Sequence, residues 1–393
     1  LYELMRQNLG LSVGPISLVT AGARRRSTGD HARVYDTMIG PPPYAGQRET
    51  WLIARIDSFD NADALRWRPT AGTTAVAAAQ RMSATLRFHG IRARVATSTD
   101  MIELERRLGQ AALEPGRQQW KQLRAEGGWL TTYGYKAAAV TADILGQAWS
   151  MPADGIIQNI TLFPDRTATA TLTVRTAQPL PAPPSVTLQP LPGEQVAALA
   201  ANLCGPLLRL RGVKRVPAPE GLTIPIGPSG VLLGKVGAGD RLMLPLSDPG
   251  EFTRVHIAAD DHVTKRIVIR TAAAGDRITV HSRNVHRWAS VRMPDVAVTD
   301  RPRPAAGTTV SVVDGPLAPA PRPHTVITVG EPGQPHRGQA DIVIRQIGPA
   351  RVEVTIGDQV FDVEVELFRA ENRYVTTESM SMMSSTEYAD ERR

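Results

Sequence analysis

The sequence is poor in the residues that usually mark disulfide-stabilised, metal-binding or membrane-spanning proteins. Its 393 residues include one cysteine, Cys204, which excludes an intrachain disulfide and a metal site built from several cysteines. Aromatic residues make up only 5% of the chain, so the core must be aliphatic and rich in alanine. No apolar run approaches the ~18 residues of a membrane helix. A signal peptide is also missing, and the first residue is Leu1. We therefore expect the soluble part of a longer protein.

The charge balance is basic but of mixed sign. Lys and Arg number 45 against 38 Asp and Glu, which gives a net charge of +7. Such an excess allows an anionic partner, although it usually reflects a solvated surface. The clearest basic run is Arg24-Arg25-Arg26. We interpret it as a solvated loop, with contact to lipid headgroups or to a partner protein as the alternative, and we expect no nucleic-acid partner.

The length and the proline distribution predict several domains. The chain is too long for one small domain, and dense proline runs are typical of stiff linkers. We expect an N-terminal α/β domain at 1–177, a Pro-rich linker at 178–193, a β-meander plus βαβ domain at 194–300, a Pro-rich spacer at 301–324, a C-terminal β segment at 325–377 and a disordered tail at 378–393.

Two stretches indicate the fold class of the second domain. Apolar runs at 224–226, 231–233 and 242–246, separated by glycine turns, are typical of a β-meander. Farther along, a strand at 255–259 is followed by a helix and by a strand at 278–281. The helix is predicted from the four-residue spacing of its apolar positions Val263, Ile267 and Thr271, with a stop at Gly275. Strand, helix and strand make a βαβ unit, so we predict an α/β fold with a partly parallel sheet and C-terminal antiparallel strands.

The N-terminal domain contains the clearest amphipathic helix. Residues 72–89 place Ala75, Ala79, Met82 and Leu86 on one stripe, which predicts the face that packs on the core. The alternation at 91–95 predicts a half-exposed strand after it.

The best candidate for a ligand site is Asp260-Asp261-His262. It lies at the carboxyl end of a predicted parallel strand, where α/β proteins place ligands. Paired carboxylates there could hold Mg²⁺ or act as acid and base. We interpret them instead as a helix N-cap and a favourable charge at the helix N-terminus. No second carboxylate cluster in the sequence completes a site, so we expect no catalytic, cofactor-binding or metal-binding residues.

Three other patterns were weighed and set aside. Residues 230–235 (GVLLGK) resemble a phosphate-binding loop, but Ser229 stands where the motif needs glycine and Val236 where it needs Ser or Thr. His281 and His286 fit no common metal-ligand spacing, so we expect them, with Trp288, at a surface or interface. For Cys204 we expect a buried thiol.

The order of several segments resembles the EccE family, a membrane component of mycobacterial ESX (type VII) secretion systems, and its ESX-two-type paralogue most of all. The resemblance covers nearly the whole chain, and the segments that support it are 48–53 (RETWLI), 226–234 (IGPSGVLLG), 266–270 (RIVIR) continuing to 280, 287–294 (RWASVRMP) and 368–375 (FRAENRYV).

The resemblance implies two N-terminal transmembrane helices that this chain lacks. It also implies a place on the cytoplasmic face of the inner membrane, in a complex with EccB, EccC and EccD and in association with the mycosin protease. The family has no established catalytic residues. We therefore predict a non-enzymatic structural subunit that supports assembly of the export complex. The alternative is a nucleotide- or sugar-nucleotide-binding α/β enzyme with a degenerate site.

Overall fold

The chain folds into two compact units, each with its own β-sheet. The computed structural model describes residues 1–24, 29–40, 43–110, 114, 117–237, 239–247, 252–334 and 338–375. One unit consists of Leu1–Arg24 and Arg48–Gly227, and the other of Arg25–Gln47 and Pro228–Arg393. The predicted mixed α/β class is confirmed, with two multi-stranded sheets. The expected tail at 378–393 lies outside the described residues.

The first unit is organised around an eight-stranded sheet of order β2-β1-β5-β6-β4-β3, with β7 beside β4 and β8 beside β6. Its strands are β1 (Ile16–Ala23), β2 (Gln47–Ala54), β3 (Leu123–Ala125), β4 (Gly128–Tyr135), β5 (Gly155–Leu162), β6 (Thr167–Thr176), β7 (Leu188–Pro190) and β8 (Val216–Pro217). The central pairs β1–β5, β5–β6 and β4–β6 are antiparallel. Residues 178–193, expected as a linker, contribute β7 to this sheet.

Helices of the first unit lie mainly between β2 and β3 and after β4. They are α2 (Ala62–Leu65), α3 (Ala71–Phe88), α4 (Ser98–Glu105), α5 (Ala142–Gln147) and α6 (Gln195–Ala200), whereas α1 (Asp30–Ile39) belongs to the second unit. Short 3₁₀ turns cover Tyr2–Met5, Ala137–Ala139 and Ala148–Ser150, and a π turn covers Arg106–Gln110. Leu104, Leu123, Ile157 and Leu199 form part of the aliphatic core, in agreement with the scarcity of aromatic residues.

Helix α3 is present as predicted, but its buried stripe is displaced by one residue. The buried positions are Thr74, Ala78, Met82 and Ser83, whereas Ala75 is exposed. Alanine occupies five positions between 71 and 79, so the hydrophobic pattern there did not distinguish one face from the next. The predicted strand at 91–95 is wrong, because these residues follow α3 in irregular extended structure.

The second unit is built on a ten-stranded sheet of order β10-β9-β18-β17-β16-β11-β15-β14-β12-β13. Its strands are β9 (Val231–Val236), β10 (Asp240–Leu244), β11 (Thr253–Ala258), β12 (Ile278–Ser282), β13 (Val296–Thr299), β14 (Val310–Asp314), β15 (Thr325–Gly330), β16 (Ile342–Gly348), β17 (Arg351–Ile356) and β18 (Gln359–Val365). Residues 325–377, expected as a separate segment, therefore share a sheet with β9–β14. The predicted meander is a β9–β10 hairpin only, because 224–226 form no strand.

The six strands from β16 to β13 in this order are parallel, and the other four are antiparallel. The predicted βαβ unit is confirmed as β11, α7 (Asp261–Ala273) and β12. Apolar residues from one face of the sheet pack under α7, among them Val255, Ile257, Val280, Val312 and Ile327. A 3₁₀ turn at Val285–Val291 follows β12, and a second at Arg369–Glu371 leads into α8 (Asn372–Val375).

Helix α1 reaches the second unit from the chain between β1 and β2. Its Tyr35 hydroxyl accepts a hydrogen bond from the backbone N–H of Leu232 (2.7 Å) and lies 3.1 Å from the hydroxyl of Tyr44. Burial raises the pKa of Tyr35 to about 12, so it remains a neutral phenol. His31 on the same helix is buried beside Asp295 (3.7 Å), and burial lowers its pKa. These contacts add α1 to the core of the second unit.

Helix α7 is buried on all sides although it contains three cations. Lys265, Arg266 and Arg270 are each at most 3% exposed. Glu371, which is also buried, accepts two hydrogen bonds of 2.7 Å from Arg270 and lies 3.4 Å from Arg266. Arg270 also donates to the carbonyls of Leu232 and Leu233 at 3.0 and 3.1 Å. A buried charge is tolerated only when it is paired and hydrogen-bonded, so the 3₁₀ turn that supplies Glu371 is needed for α7 to remain inside.

We predict that Glu371→Gln lowers the free energy of unfolding by about 3–5 kcal/mol, because it leaves the guanidinium of Arg270 buried without a counter-charge. Urea denaturation followed by circular dichroism measures the loss. Glu353→Gln is the matched control, since Glu353 pairs with Arg345 at 2.7 Å on an exposed face and should contribute less than about 1 kcal/mol. Equal losses in the two variants would contradict the assignment.

Candidate functional site

The carboxyl edge of the parallel strands gathers the charged residues that the sequence singled out. Asp260 precedes α7 and Asp261 is its first residue, and Asp314 and Ser282 end β14 and β12, which are neighbours. The turn after β12 adds Arg287 and Trp288. Strand ends of a parallel sheet place such side chains at one edge, and we refer to these six residues with Lys265 as the edge cluster.

Asp260 acts as the N-cap of α7. One carboxylate oxygen accepts a hydrogen bond from the backbone N–H of Val263 (3.0 Å), and the other accepts one from the side-chain amide of Gln346 (3.0 Å). The backbone N–H of Asp260 donates to the same amide (2.7 Å). Both oxygens are therefore used in holding the helix start to β16, which is the cap that the sequence predicts.

Asp261 joins two cations. One oxygen lies 2.7 Å from a terminal guanidinium nitrogen of Arg287, and the other lies 3.2 Å from Nζ of Lys265. Burial alone would raise the pKa of Asp261, but the hydrogen bonds from Arg287 and the charge of Lys265 hold it below its usual value. The carboxylate is thus ionised at neutral pH and paired on both sides.

Asp314 completes the edge cluster. Its two oxygens accept hydrogen bonds from Arg287 (2.9 Å), from the indole N–H of Trp288 (2.7 Å) and from the hydroxyl of Ser282 (2.8 Å). The pKa of Arg287 is raised, since these carboxylates outweigh the opposing effect of burial. Every carboxylate oxygen of the three aspartates has a partner from this chain.

Such an arrangement orients secondary structure more readily than it binds an ion. Lys265 and Arg287 oppose a divalent cation electrostatically, and a metal ligand needs an oxygen that is free to coordinate. Among the described ranges, no group of three or more His, Cys, Asp or Glu residues is placed to hold a metal ion. His262, the third candidate, is exposed, and its carbonyl accepts a hydrogen bond from Arg266 (2.9 Å).

Expectations for nearby residues are corrected in part. His281 is fully buried rather than at a surface: its Nδ1 donates to the carbonyl of Arg301 (2.8 Å) and its Nε2 lies 3.1 Å from Oγ of Ser311. Trp288 is also buried, whereas His286 is exposed as expected. His281 is buried because the segment at 300–309 contacts β12, through Arg301 and through Thr308 beside Thr279, whereas Trp288 packs into the core of the second unit. The rejected phosphate-loop pattern lies in strand β9 and in the residue before it.

The basic run does not present a continuous exposed surface in the described residues. Arg24, at the end of β1, is 6% exposed, and Arg25 and Arg26 lie outside the described residues. Cys204 is half-buried beside the core of the first unit, where burial raises the pKa of its thiol.

A depression of about 600 Å³ lies at the opposite, amino edge of β11 and β16, lined by Phe252, Arg254, Asp341 and Val343, among others. Asp341 accepts a hydrogen bond from the backbone N–H of Arg254 (2.7 Å), and the ring of Phe252 lies 5.0 Å from that of His324. The carboxylate of Asp341 is thus hydrogen-bonded to the backbone. The depression lies at the amino ends of the strands, whereas α/β proteins usually bind ligands at the carboxyl ends.

Comparison with known proteins places the chain in a family. The family model described as the putative type VII ESX secretion system translocon, EccE, matches residues 44–135. The ESX-2 secretion system protein EccE2 of Mycobacterium tuberculosis (strain CDC 1551 / Oshkosh) is 50% identical over 405 aligned residues, covering 97% of this chain and 75% of the relative. The chain belongs to the EccE family.

More distant members also match. The ESX-5 protein EccE5 of Mycobacterium marinum is 27% identical over 208 residues, 48% of this chain and 50% of the relative. The ESX-1 protein EccE1 of M. tuberculosis is 26% identical over 272 residues, 67% of this chain and 52% of the relative. The matches to these two span about half the length of each relative. In the part of the chain that the structure describes, the helices are too short or too polar to cross a bilayer.

Most of the edge cluster and the role of the buried cations have no motif in the sequence. Trp288 stands out only beside His281 and His286, Arg287 only within the resemblance, and Asp314 ends a strand without any motif. A detectable signal was the helix pattern at 263–273, where Lys265, Arg266 and Arg270 interrupt a helix that is otherwise apolar or small on every side. A helix of that type is usually buried, and its cations then require partners.

We predict that Asp261→Asn destabilises the protein by about 1–2 kcal/mol at neutral pH, an estimate reduced because about a third of the carboxylate is exposed. The folded-state pKa of Asp261 lies below the unfolded value, so its contribution is complete above about pH 4. It disappears as the pH falls through the folded-state pKa. Urea unfolding of the wild type and of Asp261→Asn is measured between about pH 3 and pH 8, a range that includes the ordinary carboxyl pKa of ~4. The difference between their free energies of unfolding should shrink as the pH falls.

Asp358→Asn serves as the control for this titration. Asp358 is exposed in the turn between β17 and β18, so the substitution should change stability by less than about 0.5 kcal/mol. A difference between Asp261→Asn and wild type that persists unchanged at the lowest pH would contradict the ion-pair explanation.

A ligand screen tests the enzyme alternative. Because the edge cluster is paired internally, we expect ATP, GTP and UDP-sugars, with Mg²⁺ or Mn²⁺, to leave the thermal unfolding midpoint unchanged. A ligand present at about 100 times its Kd would stabilise the fold by ~2.7 kcal/mol, which is readily detected. A shift that Asp260→Ala with Asp261→Ala abolishes would establish the nucleotide-binding alternative.

Proposed function

We propose that this chain is a non-enzymatic structural subunit of a type VII (ESX) secretion membrane complex and supports assembly and stability of the translocon. The supporting observation is that the polar groups at the sheet edge, where an α/β enzyme would bind its ligand, are paired with one another. Membership of the EccE family supports the link to secretion, since the relatives bear the names of ESX secretion system proteins.

The proposal extends to partners and location. We infer that the subunit associates with EccB, EccC and EccD and with the mycosin protease, on the cytoplasmic face of the bacterial inner membrane. The family resemblance is the basis for both statements. Lys265, Arg266 and Arg270 are buried and paired within the chain, so these three cations do not contact a partner, and partners are expected on exposed surfaces.

We predict that deletion of the gene reduces the amount of assembled membrane complex and the export of substrates of the same ESX system. Native gel electrophoresis of solubilised membranes measures the first, and immunoblots of culture filtrate measure the second. Return of the wild-type gene should restore both.

The matched variant for this test is Asp260→Asn with His262→Ala. Asparagine caps a helix about as well as aspartate, and His262 is exposed, so the fold is kept while one of the two candidate carboxylates and the histidine are removed. A structural role predicts normal export by this variant. Normal assembly and export in the deletion strain would contradict a structural role, and failed export by a folded, assembled Asp260→Asn/His262→Ala protein would favour an enzyme.

A further inference from the structure

Nearly all of the net charge of the protein is concentrated in one stretch of the first unit. Residues 64–99 contain six arginines and no acidic residue. The remainder of the chain has 39 basic and 38 acidic residues, a net charge of only +1. The stretch contains the whole of α3 and lies inside the part that matches the EccE family model. Two of the six arginines, Arg81 and Arg87, lie in α3 itself, whereas the other four flank the helix, and one of these, Arg94, pairs with Asp100 at 2.6 Å.

Both ends of α3 combine a highly exposed aromatic ring with cations. Trp67, before the helix, is 82% exposed, and the guanidinium of Arg66 lies 5.6 Å from its ring centre. Phe88, the last residue of the helix, is 87% exposed and has Arg87 and His89 as neighbours in the chain. Single exposed apolar side chains are common on protein surfaces, and a contact surface is indicated where they occur together with other features; here each ring has an arginine beside it.

The helix between these rings exposes an uncharged face. Residues 71–80 include no charged side chain, and Val76 is 51% exposed along with Ala75 and Ala77. Only the narrow stripe of Thr74, Ala78, Met82 and Ser83 is buried. Residues 71–80 span about 15 Å of the helix and combine alanine and valine with glycine, threonine and glutamine, so an uncharged strip of small side chains lies between Trp67 and Arg81.

We propose that this surface, which we call the α3 face, docks on an anionic lipid bilayer. Trp and Phe are favoured at the headgroup level, arginine pairs with lipid phosphate, and arginines together with exposed aromatic rings on a helix are features of helices that lie in the interface. The absence of acidic residues from 64–99 removes the repulsion that an anionic surface would otherwise meet.

The composition of the face favours lipid over other anionic partners. A nucleic acid would contact cations along its whole length, but the central part of the α3 face has none. A protein interface usually needs large anchors clustered near its centre, whereas Trp67 and Phe88 stand at opposite ends of the α3 face with mostly small side chains between them. A fluid bilayer needs no matching shape. The charge and exposure of the α3 face support lipid binding whether or not the protein acts in secretion.

Co-sedimentation of the whole chain with phosphatidylglycerol–phosphatidylcholine vesicles tests the proposal. Binding should be seen at about 0.01 M salt and lost at about 1 M, where the Debye length falls from about 30 Å to about 3 Å. Vesicles of phosphatidylcholine alone should bind at least about tenfold more weakly. Brominated lipid should quench tryptophan fluorescence in the wild type and much less in Trp67→Phe.

Two variants separate the contributions of charge and of the rings. Arg81→Glu with Arg87→Glu, and separately Trp67→Ser with Phe88→Ser, should each weaken binding at least about tenfold. All four side chains are exposed, and circular dichroism confirms folding. If the charge reversals unfold the protein, Arg81→Gln with Arg87→Gln provides the same test more mildly.

Matched controls come from the second unit. Arg303→Glu with Arg322→Glu changes the net charge equally at exposed positions, and Phe252→Ser removes a ring that is 68% exposed and near Arg254. Each should change binding less than about threefold, because neither change alters the charge or the rings of the α3 face.

Three results would overturn the proposal. The first is no vesicle binding at low salt. The second is an equal loss in the control and test charge reversals, which would indicate net charge alone. The third is retention on RNA or polyglutamate, lost in Arg81→Glu/Arg87→Glu, by a protein that does not bind vesicles, which would assign the α3 face to another class of partner.

Discussion

The second unit depends on the neutralisation of the cations that α7 takes into its core. Arg270 reaches Glu371 and two β9 carbonyls while it is 1% exposed, and Arg266 shares the same carboxylate. An isolated guanidinium at that depth would cost several kcal/mol, so α7 is held only when the C-terminal turn has folded against it. Three of the segments that support the family resemblance, 266–270, 287–294 and 368–375, meet around this helix. The family likeness therefore follows a packing unit rather than a catalytic motif.

Helix α7 also explains why the polar side chains at the carboxyl edge of the sheet pair with one another. Asp261 begins α7 and Lys265 lies one turn later, so their pair is fixed by helical spacing. Arg287 then joins Asp261 to Asp314 and bridges the ends of two strand connections. In α/β enzymes this edge presents unsatisfied polar groups to a ligand. Here the same position ties α7, the turn after β12 and the end of β14 together.

Charge is distributed differently in the first unit. Helix α3 packs on the first unit through a narrow stripe of mostly small and polar residues. The stretch around it, residues 64–99, holds nearly all of the net positive charge of the chain. A helix that buries so little gains correspondingly little stability from packing. Its exposed residues are therefore under weaker structural constraint than those of α7, and they are available for an intermolecular role.

The sequence by itself determined the mixed α/β class, the βαβ unit, the cap at Asp260 and the family, because periodicity, capping chemistry and segment order are local properties of the chain. It also assigned Asp260 and Asp261 to a structural role over a catalytic one. Tertiary structure decided the rest: that α1 leaves the first unit for the second, that residues 325–377 share a sheet with β9, and that Glu371 pairs with Arg270 across about a hundred residues. These contacts join positions that are distant in the chain. The local sequence around a carboxylate in a loop does not indicate which buried cation it will neutralise. Which face of α3 is buried could not be predicted from the sequence either. A run of alanines makes neighbouring faces equally apolar, and only packing against the core selects one of them.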